Sequence, residues 1–327
     1  MLYGRIVARI IRVPVVVNAV TGLGYVFIAQ GIKASILRSP VKGAYRLALT
    51  QRNGRVLAGN PDDLELFVSL SLVKRSDAVS IMGAGVDMNE FRPSPEPEGA
   101  PVVILAARML WDKGVAELVQ AAQSLRNVGV KARFVLVRDS DQGNPASVST
   151  AQLQAWQDSG VVKWWGQRND MPHVFVSSHI VCLPSYGEGL PKVLVEAESC
   201  GRPIVRTDLP GCRHVVKDGL NGILISKKNV SALAEALEQL IENPPLRKQM
   251  GAHGRALAEV ELSTEKVIAQ RLSLYRDLLA WARYLFPCSI STRIHLRPCA
   301  AYFNTINRAP TGKVSANCSN NSTGILL

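Results

Sequence analysis

No Cys-x-x-Cys pair and no Cys/His cluster with metal-ligand spacing occurs in the 327 residues, so neither a structural zinc site nor a disulfide framework is indicated. The six cysteines are scattered: Cys182 and Cys200 lie in apolar-rich segments, Cys212 follows a Pro-Gly turn, and Cys288, Cys299 and Cys318 fall near the C-terminal end. That is the pattern of reduced thiols. Aromatic residues are scarce at 6%, which leaves little for base stacking, and no nucleic-acid recognition motif is found, so nucleic acid is not an expected partner. Acidic residues are also in deficit, 26 against 38 basic ones, for a net charge of +12. Such an excess attracts phosphates, whether on a nucleotide diphosphate or an anionic lipid, and by itself cannot choose between them. Hydrophobic content of 47% and a length beyond that of most single cores predict a folded chain of two domains.

One stretch, Val13 to Ile32, carries no charge and lies between Arg12 and Lys33. Pro14, Asn18, Thr21, Gly22, Gly24 and Gln30 interrupt it, a poor composition for a membrane span, and the preferred reading is a buried strand, Pro14 to Ala19, followed by a loop from Thr21 to Gly24. From Pro101 onward, short apolar runs alternate with amphipathic stretches, which predicts βα units and a parallel sheet. Strands are expected at Val102–Ala107, Arg133–Val137, Val161–Trp165, Ile180–Leu183, Pro203–Arg206 and Asn221–Ile225. Helices are expected at Gly114–Val128, Ser149–Asp158, Met171–Ser177, Pro191–Cys200, Val230–Ile241, Pro245–Ala258 and Thr264–Phe286. The proline-dense Pro93–Pro101 reads as a semi-rigid linker. Ahead of it only Val13–Ala19, Arg55–Ala58 and Ala78–Ile81 read as strands. The expected organisation is a partial N-terminal domain over 1–93, a second domain over 94–262, a C-terminal helix over 263–286 and an atypical, disordered tail over 287–327. The tail has no acidic residue and contains the triplet Asn321-Ser322-Thr323, a sequon of the kind that arises by chance.

In sheets of this kind ligands bind outside the carboxyl ends of the strands, so the loops that follow strands carry the chemistry. The run L-P-S-Y-G-E-G-L-P-K-V-L-V-E-A, Leu183 to Ala197, leaves a strand, turns through Gly187 and Gly189 and enters a helix at Pro191. Its amides near Gly189 to Val193, a stretch that includes the candidate binding residues Gly189, Leu190 and Pro191, lie at the positive end of the helix dipole, a setting that suits phosphate or a developing anion. Glu188 and Glu196, with seven residues between them, border that turn. Carboxylates there would repel phosphate if aimed at it, so they are expected to accept hydrogen bonds from sugar and ribose hydroxyls. The bland alternative for Glu196 is an i,i+4 pair with Lys192. In A-A-R-M-L-W-D-K-G-V, Ala106 to Val115, Arg108 follows a strand and Lys113 precedes a helix, both at the carboxyl edge. Asp139 and Asp141 form an Asp-x-Asp triplet but read as solvated loop acids.

These motifs, with L-Y-G-R-I-V-A-R, N-A-V-T-G-L-G-Y, N-P-D-D-L-E-L-F-V and T-D-L-P-G-C-R-H-V-V-K-D-G-L-N-G, resemble the retaining glycosyltransferases of family 4, and the resemblance runs from Leu2 to Phe286. It is greatest to bacterial enzymes that extend polysaccharide or O-antigen chains on a lipid carrier. The resemblance implies an α/β protein of the GT-B type with two Rossmann-like, doubly wound domains, the N-terminal one incomplete because relatives begin roughly a hundred residues earlier. It implies that Glu188 contacts the donor sugar and Glu196 the ribose, and that Arg108 and Lys113 hold the donor diphosphate in place of a metal ion, with no cofactor. The implied partners are a nucleotide sugar and a lipid-linked glycan acceptor, at the cytoplasmic face of the membrane with room for peripheral association. The alternative is a truncated, inactive chain that binds nucleotide sugar, or a membrane scaffold. Departures from the family pattern are Arg138 where Gly is usual, Gly187 where Arg is common and His214 where Glu is usual. His214 reads as a surface residue, and the Pro210-Gly211 and Asp218-Gly219 turns as structural.

Overall fold

The computed structural model describes residues 2–285 apart from 12, 14, 21–31, 50–53, 84, 142, 210 and 212. The expected loop at Thr21–Gly24, Pro210, Cys212 and the tail with its sequon lie outside the described residues. No helix among the described residues is long and apolar enough to cross a membrane.

Two parallel sheets organise the chain. The first has the order β1-β2-β3, from Val16–Val20 (β1), Gly54–Ala58 (β2) and Ala78–Ser80 (β3). Helices α1 (Leu2–Ile10), α2 (Ile32–Leu49) and α3 (Pro61–Ser69) belong with it. None of these three helices was expected from the sequence. In α2, Pro40 sits inside the helix and Gly43 follows it, two signals that ordinarily end a helix. Helix α3 does carry a legible start, since Asn60 accepts from the Asp63 amide at 2.7 Å and Pro61 takes the first turn. Helix α1 is stapled to the sheet by the buried Arg5, which donates to the carbonyls of Ala48 (2.9 Å) and Val16 (3.1 Å). Its guanidinium lies where a side chain on residue 54 would be, which accounts for glycine at the head of β2.

The second sheet has the order β6-β5-β4-β7-β8-β9, formed by Val102–Ala106 (β4), Arg133–Val137 (β5), Lys163–Trp164 (β6), Ile180–Leu183 (β7), Ile204–Thr207 (β8) and Gly222–Ile225 (β9). Between and after them run α4 (Val115–Asn127), α5 (Thr150–Asp158), α6 (Met171–Val176), α7 (Lys192–Ser199), α8 (Val230–Glu242), α9 (Pro244–Leu257) and, past a π turn at Ala258–Leu262, α10 (Thr264–Leu285). Strand order reverses between β4 and β7, where Val103 sits beside Ile180 and Ile104 beside Val181. Both faces of β4 are covered. Val103 and Leu105 pack with Leu118, Leu125 and Leu237 from α4 and α8, and Ile104 and Ala106 pack with Val174, Phe175 and Leu194 from α6 and α7. Coverage of both faces is why the strand reads as an unbroken apolar run.

The proline-rich segment is fastened to the second domain. The Pro95 carbonyl accepts from Arg202 (3.2 Å), and both Glu96 oxygens accept from Arg247 (3.0 and 2.9 Å). The chain passes between the sheets just before it, where the Val86 amide donates to Leu262 and the Thr264 amide to Val86. Helix α10 then returns to the first domain, placing Leu278 and Ala282 against Val15.

Glu198 of α7 is fully buried; it accepts from the Asn221 side-chain amide through Oε1, while Oε2 has no hydrogen-bond partner among the described residues. Burial, partly offset by that hydrogen bond, holds its pKa well above the usual range. A carboxyl whose folded pKa is raised contributes stability below its unfolded pKa, and that stability is lost as pH rises toward the folded value. Glu198→Gln keeps an oxygen for Asn221 and removes the titration. It is therefore expected to raise Tm near pH 8 by about 2–4 °C, the shift that about 1 kcal/mol produces in a chain of this size. The gain should fade on acidification to pH 4, and an equal gain at both pH values in thermal unfolding would contradict a titrating Glu198.

Candidate donor site

At the strand-order reversal, the loop after β4 and the loop after β7 are stitched together by backbone contacts. A short turn, Trp111–Lys113, ends on Gly114, whose φ of 74° is left-handed. A Cβ at residue 114 would lie 2.3 Å from the Pro184 carbonyl oxygen, so only glycine lets the loops approach this closely. The Tyr186 amide donates to the Asp112 carbonyl at 2.7 Å, and the Tyr186 hydroxyl donates to Glu117 on α4. Lys227 and Lys228 lie over the Tyr186 ring at 5.4 and 4.8 Å. Burial and the neighbouring Glu117 carboxylate raise the phenol's pKa, so Tyr186 is a neutral brace.

This bracing brings Lys113 Nζ to 2.7 Å from Glu188 Oε1, with only 12% and 17% of the two side chains exposed. Two of the sequence candidates therefore meet directly. Arg108, 52% exposed, stands apart and pairs at 3.4 Å with Asp141. This corrects the reading of Asp141 as a merely solvated acid. Its amide donates to Ser147 Oγ (2.9 Å), and its carboxylate accepts from Arg108. No local signal in the sequence pairs those two loops.

Helix α7 begins at Lys192, with Pro191 as its N-cap, and among the described residues no side chain caps its first turn. Glu196 is 6% exposed and pairs with Lys192 at 3.2 Å. The i,i+4 pair weighed as the bland alternative is thus formed. Burial raises the pKa of Glu196, and Lys192 and Arg138 pull it back down. Lys192 engages Glu196 Oε1 alone in that pair, so the carboxylate keeps capacity to accept a further hydrogen bond.

The first domain closes over this region. Leu190 fills the space beside Gly83, where a Cβ would lie 2.4 Å from its Cδ2. Asp62, at the start of α3, accepts from the Gly211 amide at 2.5 Å and lies 3.5 Å from His214 Nε2. His214 is therefore a contact between domains rather than a plain surface residue. The Asn60-Pro61-Asp62-Asp63 helix start was the available signal for Asp62. Between the sheets lies a cavity of about 430 Å³ lined by Ala19, Gly59, Gly83, Leu190, Lys192 and Arg271. Among the described residues, no group of three or more His, Cys, Asp or Glu side chains is arranged to hold a metal ion.

The chain is similar to known proteins. Residues 87–257 match the family described as Glycosyl transferases group 1. Over 287 residues the chain is 31% identical to the N,N'-diacetylbacillosaminyl-diphospho-undecaprenol alpha-1,3-N-acetylgalactosaminyltransferase of Campylobacter jejuni, covering 84% of this chain and 73% of that one. It is 25% identical to the UDP-Gal:alpha-D-GlcNAc-diphosphoundecaprenol alpha-1,3-galactosyltransferase of Escherichia coli, over 75% of this chain and 65% of that one. Among solved structures, the sucrose-phosphate synthase of Thermosynechococcus elongatus superposes with a TM-score of 0.69 at 22% identity, over 81% of this chain and 68% of that one. Anabaena HepE in complex with UDP superposes with a TM-score of 0.69 at 22% identity, over 83% and 75%. The two parallel sheets have the GT-B arrangement, and the chain belongs to the group 1 glycosyltransferases.

Proposed function

We propose that the chain transfers a sugar, with retention of anomeric configuration, from a nucleotide-diphosphate sugar to a lipid-linked glycan during surface polysaccharide biosynthesis. The observation that carries this reading is the Lys113–Glu188 pair at the strand-order reversal, beside the uncapped start of α7 and the cavity between domains. Each member of the pair occupies the other. On donor binding, the ammonium of Lys113 turns to the diphosphate and the carboxylate of Glu188 is released to accept from sugar hydroxyls. Arg108 adds a second cation at the rim. As the bond from the anomeric carbon to the diphosphate oxygen breaks, charge grows on the diphosphate, and these cations with the α7 amides stabilise it. The acceptor hydroxyl bonds to the anomeric carbon on the same face and passes its proton to the departing diphosphate oxygen.

The acceptor class follows from the relatives from Campylobacter jejuni and Escherichia coli, whose names specify saccharides on diphospho-undecaprenol. Such an acceptor sits at a membrane. The net charge of +12 and the exposed Val7, Ile10 and Ile11 at the end of α1 suit peripheral contact with an anionic cytoplasmic leaflet. The test incubates the chain with UDP- and GDP-sugars and polyprenyl-diphosphate saccharides, with products read by mass spectrometry and anomeric configuration by NMR. Transfer with retention is expected. Thermal stabilisation by nucleotide sugars without any transfer would point to a binding remnant. Vesicle co-sedimentation with neither stabilisation nor transfer would point to a scaffold.

A further inference from the structure

Arg138 follows β5 with a φ of 106°, a conformation that side-chain-bearing residues rarely adopt. Neighbours hold it there. Its amide donates to the Gly166 carbonyl at 2.8 Å, and its carbonyl accepts from Trp164 Nε1 at 2.9 Å. The alternation of β5 would send residue 138 to the face of Phe134 and Leu136, which pack with α4 and α8. The left-handed backbone breaks that alternation. The Arg138 charge lies near enough to Glu196 on α7, the helix that covers the other face of the sheet, to help lower that carboxyl's pKa. No hydrogen bond or ion pair occupies its guanidinium among the described residues, although the side chain is half-buried.

Topology indicates what would meet it. In a doubly wound sheet with its reversal at β4 and β7, the diphosphate lies at the turn after β4, and the nucleoside half extends over the end of the next strand outward, here β5. Lys113 marks the diphosphate end, so Arg138 stands at the nucleoside end. A guanidinium only donates, and it complements an edge that only accepts. Uracil and guanine carry ring carbonyl oxygens and adenine carries none; guanine also offers the N7/O6 pair that Arg bridges well.

We propose that Arg138 is a specificity residue that donates to a ring carbonyl oxygen of the donor's base, selecting a uridine or guanosine diphosphate over adenosine diphosphate. This rests on the reading of the C-terminal domain as the donor site.

Arg138→Gly tests it, because glycine accepts the same φ and removes the guanidinium. Calorimetric titration of the wild type and variant uses UDP, GDP, ADP and inorganic pyrophosphate. Whichever of UDP and GDP the wild type prefers should bind the variant about tenfold or more weakly, the loss typical of one hydrogen bond to a charged group. ADP and pyrophosphate affinities should not change, and Tm should rise as strain is relieved. Unchanged UDP and GDP affinity in a stabilised variant would leave Arg138 as a strained structural residue and overturn the proposal. A parallel loss for pyrophosphate would also overturn it, by making Arg138 a phosphate ligand. A wild type that binds neither nucleotide nor pyrophosphate would instead remove the donor-site reading, and the base assignment with it.

Discussion

Lys113→Ala is expected to lower kcat/KM by about 10²–10³-fold or more, the cost typical of deleting one preorganised group that stabilises transition-state charge. Two effects add. The diphosphate loses a cation held by backbone stitching rather than by a flexible loop, and Glu188, 17% exposed, is left as a poorly solvated carboxylate without the ammonium it meets at 2.7 Å. An unpaired carboxylate beside the phosphate subsite repels the donor, so nucleotide diphosphate binding should weaken as well. Glu188→Gln separates the two contributions. It should leave the affinity for the nucleotide diphosphate near the wild-type level and lower turnover, because the sugar contact is lost while Lys113 becomes free to meet the phosphates. Steady-state kinetics and calorimetry on both variants check this. Wild-type turnover together with wild-type nucleotide affinity in Lys113→Ala would refute the site assignment.

Why the second domain was readable, and the pairings within it were not, follows from where each kind of information is stored. A parallel strand covered on both faces must be apolar at every position, so β4 (V-V-I-L-A), β5 and β7 announce themselves as short unbroken runs. The Glu188-to-Glu196 spacing and the Lys113-Gly114 turn are local and survive in one dimension. Side-chain partnerships do not. Arg108 meets Asp141 only because β4 and β5 are neighbours whose following loops touch, and Asp62 meets His214 across two domains. The surplus of positive charge misleads in a further way. Arg5, Arg202 and Arg247 are buried, and backbone carbonyls accept from each of them, so part of the +12 is structural and not available to any partner. The helices of the first domain were hidden for a different reason. Their tertiary packing overrides Pro40 and Gly43 in α2, and nothing in local propensity reports that packing.

Gly114→Ala should damage both stability and activity, and a control substitution can show that the damage comes from the approach of two loops. An alanine at φ of 74° costs roughly 1 kcal/mol for its backbone alone. At this position the new Cβ would also fall 2.3 Å from the Pro184 oxygen and 2.7 Å from its carbonyl carbon, atoms of main chain that cannot rotate aside. Relief requires the loop after β4 to lift off the loop after β7, at a further cost of about 1–3 kcal/mol for overpacking. Lifting breaks the Tyr186-to-Asp112 backbone bond and carries Lys113 away from Glu188. The folded fraction of the variant should then turn over about as poorly as Lys113→Ala, while Tm falls by about 5–10 °C. Gly129→Ala is the control, since its φ of 88° is equally left-handed but its Cβ would meet nothing within 4 Å. It should show only the backbone cost, with activity intact. If the two alanine variants melt together and both retain turnover, the close approach at Pro184 does not hold the donor site in shape.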